Sequence, residues 1–66
     1  MDTRIRALRE DNDYTQQFVA DKIGITQRKY SYIETGTQQL TAEILVALSA
    51  LYNVSVDYLL KQTDTP

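Results

Sequence analysis

Two short runs of apolar residues at helical spacing lie in the first half of the chain, on either side of a glycine. The first run contains Val19, Ala20 and Ile23, at i, i+1 and i+4. Gly24 interrupts the pattern, and apolar residues three positions apart, at 30 and 33, resume it. A glycine can adopt the positive φ that a sharp turn requires. The pattern therefore predicts two short helices that cross at a tight turn.

Hydroxyl side chains stand where these two helices should begin. Thr15 and Thr26 can each accept a hydrogen bond from an otherwise unpaired N–H group of the first helical turn. Residues 3–10, residues 42–52 and a short stretch near residue 58 are further segments with helical apolar spacing. The predicted N-caps are Asp2 or Thr3 for the first of these segments, Thr41 for the second and Ser55 for the third. Asn53 is predicted to end the second segment in the left-handed conformation. The chain is therefore predicted to form five helices.

The helix predicted at residues 42–52 carries apolar side chains on more than one face. Leu45, Leu48 and Tyr52 supply a stripe for the core. A single stripe is what a surface helix of a small domain normally needs, so the second stripe is either additional core or an interface. Exposed apolar patches usually mark interfaces, and we therefore predict a symmetric homodimer that pairs through the second stripe, at Ile44, Ala47 and Leu51. The alternative is a monomer in which the tail covers this face.

Length and composition exclude several classes of protein. Sixty-six residues make one domain with a single small core. Cysteine and histidine are both absent, which excludes disulfides, zinc sites of the His/Cys type and Ser-His-Asp triads. No apolar run is long enough for a membrane span or the core of a signal peptide. We expect a cytoplasmic protein that is not an enzyme and needs no cofactor.

One acidic cluster, at residues 10–13, has the alternating aspartates of a calcium-binding loop. Counting from Asp11, the sixth position holds Gln16 instead of the glycine that the turn needs. The twelfth position holds Lys22 instead of a bidentate glutamate. The cluster is therefore interpreted as a solvated helix end, and no metal site is predicted.

Residues 16–36, with the sequence QQFVADKIGITQRKYSYIETG, resemble the helix-turn-helix of the lambda-repressor and Cro-like family. The alanine, the turn glycine, the capping threonine and the final I-E-x-G stand in the family's register. The resemblance extends without gaps over about residues 5–60. It implies an all-α, compact five-helix lambda-repressor-like DNA-binding domain at residues 1–61, with the helix-turn-helix at the second and third helices and a polar tail at residues 62–66.

The resemblance also implies which residues contact DNA. Gln27 and Arg28 have suitable chemistry, because glutamine can bond N6 and N7 of adenine and arginine can bond O6 and N7 of guanine. Arg9 and Glu34 match a family pair that would lock the first helix to the third. The implied base contacts are Gln27, Arg28, Ser31 and Tyr32, and the implied phosphate contacts are Gln16, Thr26, Lys29, Lys22 and Arg9. Members of the family commonly pair through the C-terminal part of the domain, which adds Tyr58 to the predicted dimer interface.

The aromatic residues divide into core and surface positions. Tyr32 and Tyr58 are predicted to be exposed, whereas the tyrosines at 14, 30 and 52 fall at core positions of the pattern. Phe18 occupies a place where the family usually has a polar residue. It is therefore either folded against a neighbour or part of a contact surface.

Charge leaves two functional hypotheses open. The net charge of −2 and the pI of about 4.8 argue against nucleic-acid binding, because most such domains are basic. However, residues 22–33 carry three positive charges and no acid. The predicted function is that of a small transcriptional regulator, by resemblance a repressor, which binds double-stranded DNA sequence-specifically. Its predicted site is a palindromic operator. A protein partner could regulate it. The alternative is a protein-interaction module on the same fold, such as an antitoxin or antirepressor-like subunit.

Overall fold

A computed structural model describes residues 3–36 and 40–66 of the chain. The described residues form five helices, in agreement with the predicted all-α class. The helices are α1 (Ile5–Asp11), α2 (Gln16–Ile23), α3 (Gln27–Thr35), α4 (Ala42–Tyr52) and α5 (Val56–Leu59). The helix-turn-helix is formed by α2 and α3, as predicted.

Side-chain caps define the beginning of α2 to α5. In each of these helices a hydroxyl oxygen accepts a hydrogen bond from the backbone N–H three residues further on. Such a cap typically stabilises a helix by about 1 kcal/mol. These caps are the predicted ones: Thr15, Thr26, Thr41 and Ser55.

The beginning of α1 differs from the prediction. The helix begins at Ile5 and not at residue 3, and Arg4 occupies the N-cap position without a side-chain capping bond. Thr3 still contributes, because its hydroxyl accepts a hydrogen bond from the Ile5 N–H at 3.3 Å. Asp2, the other predicted cap, lies outside the described residues.

The turn between α2 and α3 requires a glycine for its backbone conformation. Gly24 has φ +79° and its N–H donates to the Ala20 carbonyl. A Cβ atom built at Gly24 would meet no other atom within 4 Å, so the glycine is not needed to make space. Ile25 follows in the crook of the turn, where it packs against the core. Asn53 ends α4 in the same left-handed region, with φ +55°, as predicted.

The core is assembled from every helix. Tyr30 is its largest fully buried side chain, and Ala20 is fully buried where α2 and α3 pack together. Tyr14 and Tyr52 are half-buried and pack against this core, in agreement with their predicted positions. The buried residues are Ile5, Val19, Ala20, Tyr30, Ile33, Ile44, Leu48 and Leu59.

The prediction for α4 is wrong in its rotation. Ile44 was assigned to an exposed stripe, yet only 5% of its surface is exposed. Leu48 is fully buried and Leu51 packs against the core, whereas Leu45 is only half-buried. The exposed large apolar side chain of α4 is Val46, at 62%. The predicted core stripe and the row Ile44, Leu48 and Leu51 both fit a helical period. Packing against α2 and α5 buries the row that begins at Ile44.

Arg4 joins the beginning of the described chain to its end. Its Nη1 donates to the carbonyl oxygens of Tyr58 at 2.6 Å and Thr63 at 2.8 Å. Its Nη2 lies 3.0 Å from Asp64 Oδ1, and its guanidinium carbon lies 4.1 Å from the Tyr58 ring centroid. Hydrogen bonds therefore cross the boundary predicted after residue 61 and connect the polar tail to the helical domain.

Candidate nucleic-acid interface

The four predicted base-contact residues occupy one side of α3. Their positions, 27, 28, 31 and 32, follow the helical spacing i, i+1, i+4 and i+5. Gln27 and Arg28 are exposed in the first turn, Tyr32 is 39% exposed and Ser31 is half-buried. The other side of α3 is anchored by buried Tyr30 and by Ile33. The structure therefore presents a polar, solvent-facing surface on a helix whose rotation is fixed by the core.

Within this surface, Arg28 and Tyr32 contact each other. Arg28 Nε donates to the Tyr32 hydroxyl oxygen at 3.1 Å. The Arg28 guanidinium carbon lies 6.0 Å from the centroid of the Tyr32 ring. The two residues are one helical turn apart, at the i and i+4 positions where side chains can meet. The resemblance implies that both residues contact DNA, but it does not predict that they contact each other.

Glu34 connects three helices at the end of α3. Arg9 Nε donates to Glu34 Oε2 at 2.6 Å, and Arg9 Nη2 donates to Oε1 at 3.1 Å. Gln16 Nε2 also donates to Oε1, at 3.2 Å. Only 14% of the Arg9 side chain and 4% of the Glu34 side chain are exposed. This fork-on-carboxylate arrangement ties α1 and the beginning of α2 to α3, and so helps to hold α3 in its orientation.

The surroundings of Glu34 keep it ionised. Burial by itself raises the pKa of Glu34, but the Arg9 guanidinium, the nearby Tyr30 hydroxyl and the Gln16 amide together lower it below its ordinary value. The hydrogen bond to Glu34 raises the pKa of Arg9 against the effect of burial. The pair is therefore a carboxylate and a guanidinium at neutral pH.

Two tyrosine hydroxyls are buried near this network. Among the described residues, the Tyr30 and Tyr52 hydroxyls have no hydrogen-bond partner of ordinary geometry. Burial raises the pKa of both, and that of Tyr52 reaches about 12. Both side chains are therefore neutral at physiological pH.

The predicted phosphate contacts fall into two groups. Lys22 and Lys29 are exposed residues near the turn and the first helical turn of α3. The Gln16 amide and the Arg9 guanidinium instead make internal hydrogen bonds, and Arg9 Nη1 also donates to the Tyr14 carbonyl at 3.0 Å. The Thr26 hydroxyl is the cap of α3. The two lysines are thus the predicted phosphate contacts whose charged groups extend into solvent.

Phe18 packs against a neighbour and keeps one side in solvent. Its ring centroid lies 4.5 Å from that of Tyr14, and Lys22 Nζ lies 5.3 Å from the Phe18 ring centroid. It remains 38% exposed. Phe18 thus folds against a neighbour, and its exposed side still permits the second alternative, a contact surface.

The predicted dimer residues do not form a uniformly exposed patch. Ile44 belongs to the core, and Ala47, Leu51 and Tyr58 are half-buried.

Among residues 3–36 and 40–66, every helix is too short to span a membrane. The same residues contain no cluster of three or more side chains of the metal-binding types His, Cys, Asp and Glu.

Comparison with known proteins extends these observations. A helix-turn-helix family model matches residues 5–59, which is most of the chain. The uncharacterized HTH-type transcriptional regulator YobD of Bacillus subtilis is 41% identical over 63 residues, covering 96% of this chain and 56% of that protein. The HTH-type transcriptional regulator ImmR of B. subtilis is 39% identical over 57 residues, covering 86% of this chain and 45% of that protein.

A phage protein is also similar. The cryptic phage CTXphi transcriptional repressor RstR of Vibrio cholerae is 33% identical over 63 residues, covering 96% of this chain and 57% of that protein. The chain thus spans about half the length of these relatives. The names of these relatives describe transcriptional regulators, one of them a repressor. The match of the family model, the capped helices on both sides of Gly24 and the buried face of α3 together show that the chain belongs to the helix-turn-helix family.

Proposed function

We propose that this chain binds double-stranded DNA sequence-specifically, as a small transcriptional regulator of the repressor kind, with α3 in the major groove. The observation that carries this proposal is the polar face of α3, where Gln27, Arg28, Ser31 and Tyr32 lie together opposite a buried anchor. A major groove admits an α-helix and presents distinct donors and acceptors for each base pair. The names of the relatives, which include a repressor, support the same function.

The charge of the chain is compatible with this proposal because of its distribution. The net charge is −2, but Lys22, Arg28 and Lys29 are all exposed around the turn and the first turn of α3. Asp21, the acid immediately before them, accepts a hydrogen bond from Gln17 Nε2 at 2.7 Å. Few phosphate contacts on an acidic body should give weak non-specific binding with a shallow salt dependence.

Selection of bound sequences from a random DNA pool at low salt tests the proposal directly. Wild-type protein should enrich a defined sequence. Enrichment of no sequence, together with no gel shift of random DNA, would instead favour the protein-interaction alternative, which the acidic pI supports.

Arg28→Ala and Lys22→Ala should weaken DNA binding in different ways. Arg28→Ala should cost about 1–3 kcal/mol on the selected site and flatten the preference at one base pair. Lys22→Ala should weaken binding to all sequences alike and reduce the salt slope by about one. Binding titrations of both variants against the selected site and a scrambled site, at several salt concentrations, measure this difference. An unchanged selected sequence for Arg28→Ala would remove this residue from base recognition.

The proposal includes a symmetric homodimer on a palindromic operator. A two-fold axis would set two α3 helices about 34 Å apart, at successive major grooves. Ala47, Leu51 and Tyr58 remain the candidate interface residues, because each is still partly exposed, whereas Ile44 is not. Binding of a regulatory protein to the same regulator is a further part of the proposal.

Sedimentation at micromolar concentration tests the dimer. We expect wild-type protein to sediment as a dimer and Ala47→Glu as a monomer, because a charge would be buried without a partner in the interface. A monomeric wild type removes the dimer from the proposal. A dimeric Ala47→Glu variant places the interface elsewhere on the chain.

A further inference from the structure

The hydrogen bond between Arg28 and Tyr32 restrains Arg28, a proposed base-contact residue of α3, before any DNA is present. A free arginine side chain loses rotamer freedom when it binds, and this loss weakens binding. Arg28 is exposed, yet its Nε is already held by the Tyr32 hydroxyl oxygen at 3.1 Å. Part of the ordering of Arg28 is therefore complete in the free protein.

The same bond also determines which edge of the guanidinium is available. A guanidinium has five N–H donors, one on Nε and two on each terminal nitrogen. Since Nε donates to Tyr32, the terminal Nη1 and Nη2 groups are left to form a pair of bonds. Guanine offers N7 and O6 as two adjacent acceptors in the major groove. The Tyr32 hydroxyl uses its oxygen as the acceptor, so its own proton points elsewhere.

We propose that Tyr32 is a positioning residue, which holds Arg28 so that Nη1 and Nη2 together read a guanine in the bound DNA. This inference rests on the proposed DNA binding of α3. If Tyr32 positions Arg28, the two residues act on the same base pair. An independent contact would instead give Tyr32 a base pair of its own.

A double-mutant cycle with the full chain distinguishes these roles. The variants are Arg28→Ala, Tyr32→Phe and the double variant, each measured against the selected site and against that site with the Arg28-dependent G·C pair replaced. Tyr32→Phe keeps the ring and removes only the hydroxyl. Tyr14→Phe is the matched control, since it removes a tyrosine hydroxyl outside α3.

Tyr32→Phe should lower affinity for the selected site about 5-fold, as expected for loss of one hydrogen bond. In the Arg28→Ala background the same change should have almost no effect, because the group that Tyr32 positions is gone. The preference lost in Tyr32→Phe should be the one lost in Arg28→Ala. Equal effects of Tyr32→Phe in both backgrounds, or loss of preference at another base pair, would overturn the inference while the proposed function stands.

A measurement without DNA separates the inference from the proposed function. The Nε–H proton of Arg28 should exchange with solvent more slowly than that of Arg6. The Arg6 side chain is 69% exposed, and its Nε lies 3.6 Å from Glu10 Oε1, which is beyond hydrogen-bond distance. Tyr32→Phe should abolish this protection, and Tyr14→Phe should not. Rapid exchange of the Arg28 Nε–H in wild type would overturn the positioning role, whereas protection combined with no selected DNA sequence would overturn DNA recognition by the pair.

Discussion

Replacing Ile44 with glutamate is expected to lower the free energy of unfolding by about 4 kcal/mol or more, because it removes a core side chain and places a charge there. Ile44 is only 5% exposed and belongs to the same cluster as fully buried Leu48. A domain of this length has a total stability of roughly 3–10 kcal/mol. Such a loss is a large part of that stability, so Ile44→Glu should unfold at a much lower urea concentration than wild type, as followed by far-ultraviolet circular dichroism.

Val46→Glu is the matched control for this substitution, because it places the same side chain on the same helix. Val46 is 62% exposed, so its replacement should change stability by no more than about 0.5 kcal/mol. If Ile44→Glu unfolds at the same urea concentration as Val46→Glu, the rotation of α4 described above is incorrect. Loss of a dimer in Ile44→Glu would by itself be uninformative about an interface, since the fold is destabilised as well.

Arg9→Ala should destabilise the protein by about 3–5 kcal/mol, because it leaves the nearly buried Glu34 carboxylate without its main partner. The Glu34 side chain is only 4% exposed. The substitution also removes the hydrogen bond from Arg9 Nη1 to the Tyr14 carbonyl. A double-mutant cycle of Arg9→Ala and Glu34→Ala, measured by urea denaturation, should show coupling above about 1 kcal/mol.

The helix α1 contains a matched control for this pair. Arg6 and Glu10 approach to 3.6 Å at i and i+4, with side chains that are 69% and 57% exposed. Such surface pairs contribute about 0.3–0.5 kcal/mol, so Arg6→Ala should have a small effect. Equal costs for Arg6→Ala and Arg9→Ala, or additive effects in the Arg9–Glu34 cycle, would contradict the structural role of the buried pair.

The lowered pKa of Glu34 also predicts how stability depends on pH. A carboxyl whose pKa is lower in the folded state than in the unfolded state stabilises the fold fully above its unfolded pKa, about 4.3 for glutamate. This contribution is lost as the pH falls through the lowered folded pKa. Wild-type protein should therefore lose stability on acidification more steeply than Glu34→Gln, in which the titrating group is absent.

Local sequence determined where α2 to α5 begin and where α2 and α4 end. A capping hydroxyl such as Thr26 acts on an N–H only three residues away, at Lys29. Gly24 and Asn53 end helices because their own backbone enters the left-handed region. These features depend on side chains and dihedral angles within one turn of helix. They could therefore be predicted without knowledge of what packs against them.

The partners of individual side chains were decided by tertiary structure. Gln16 was assigned to a phosphate, but its amide meets Glu34, which is 18 positions away in the chain. The meeting of Arg9 with Glu34 was implied by the family resemblance and not by any local pattern. The link between Arg28 and Tyr32 lies within one helix, yet their i and i+4 spacing only permits a contact and does not require one.

The rotation of α4 shows the limit of the sequence most clearly. The predicted core stripe is Leu45, Leu48 and Tyr52, whereas the row Ile44, Leu48 and Leu51 packs in the core, and both rows fit the helical period. Only the positions of α2 and α5 decide between them, since these helices cover the side that carries Ile44. The sequence by itself determined the helices and the polar face of α3. The tertiary structure decided which apolar side of α4 is buried, because burial depends on the neighbouring helices and not on the period alone.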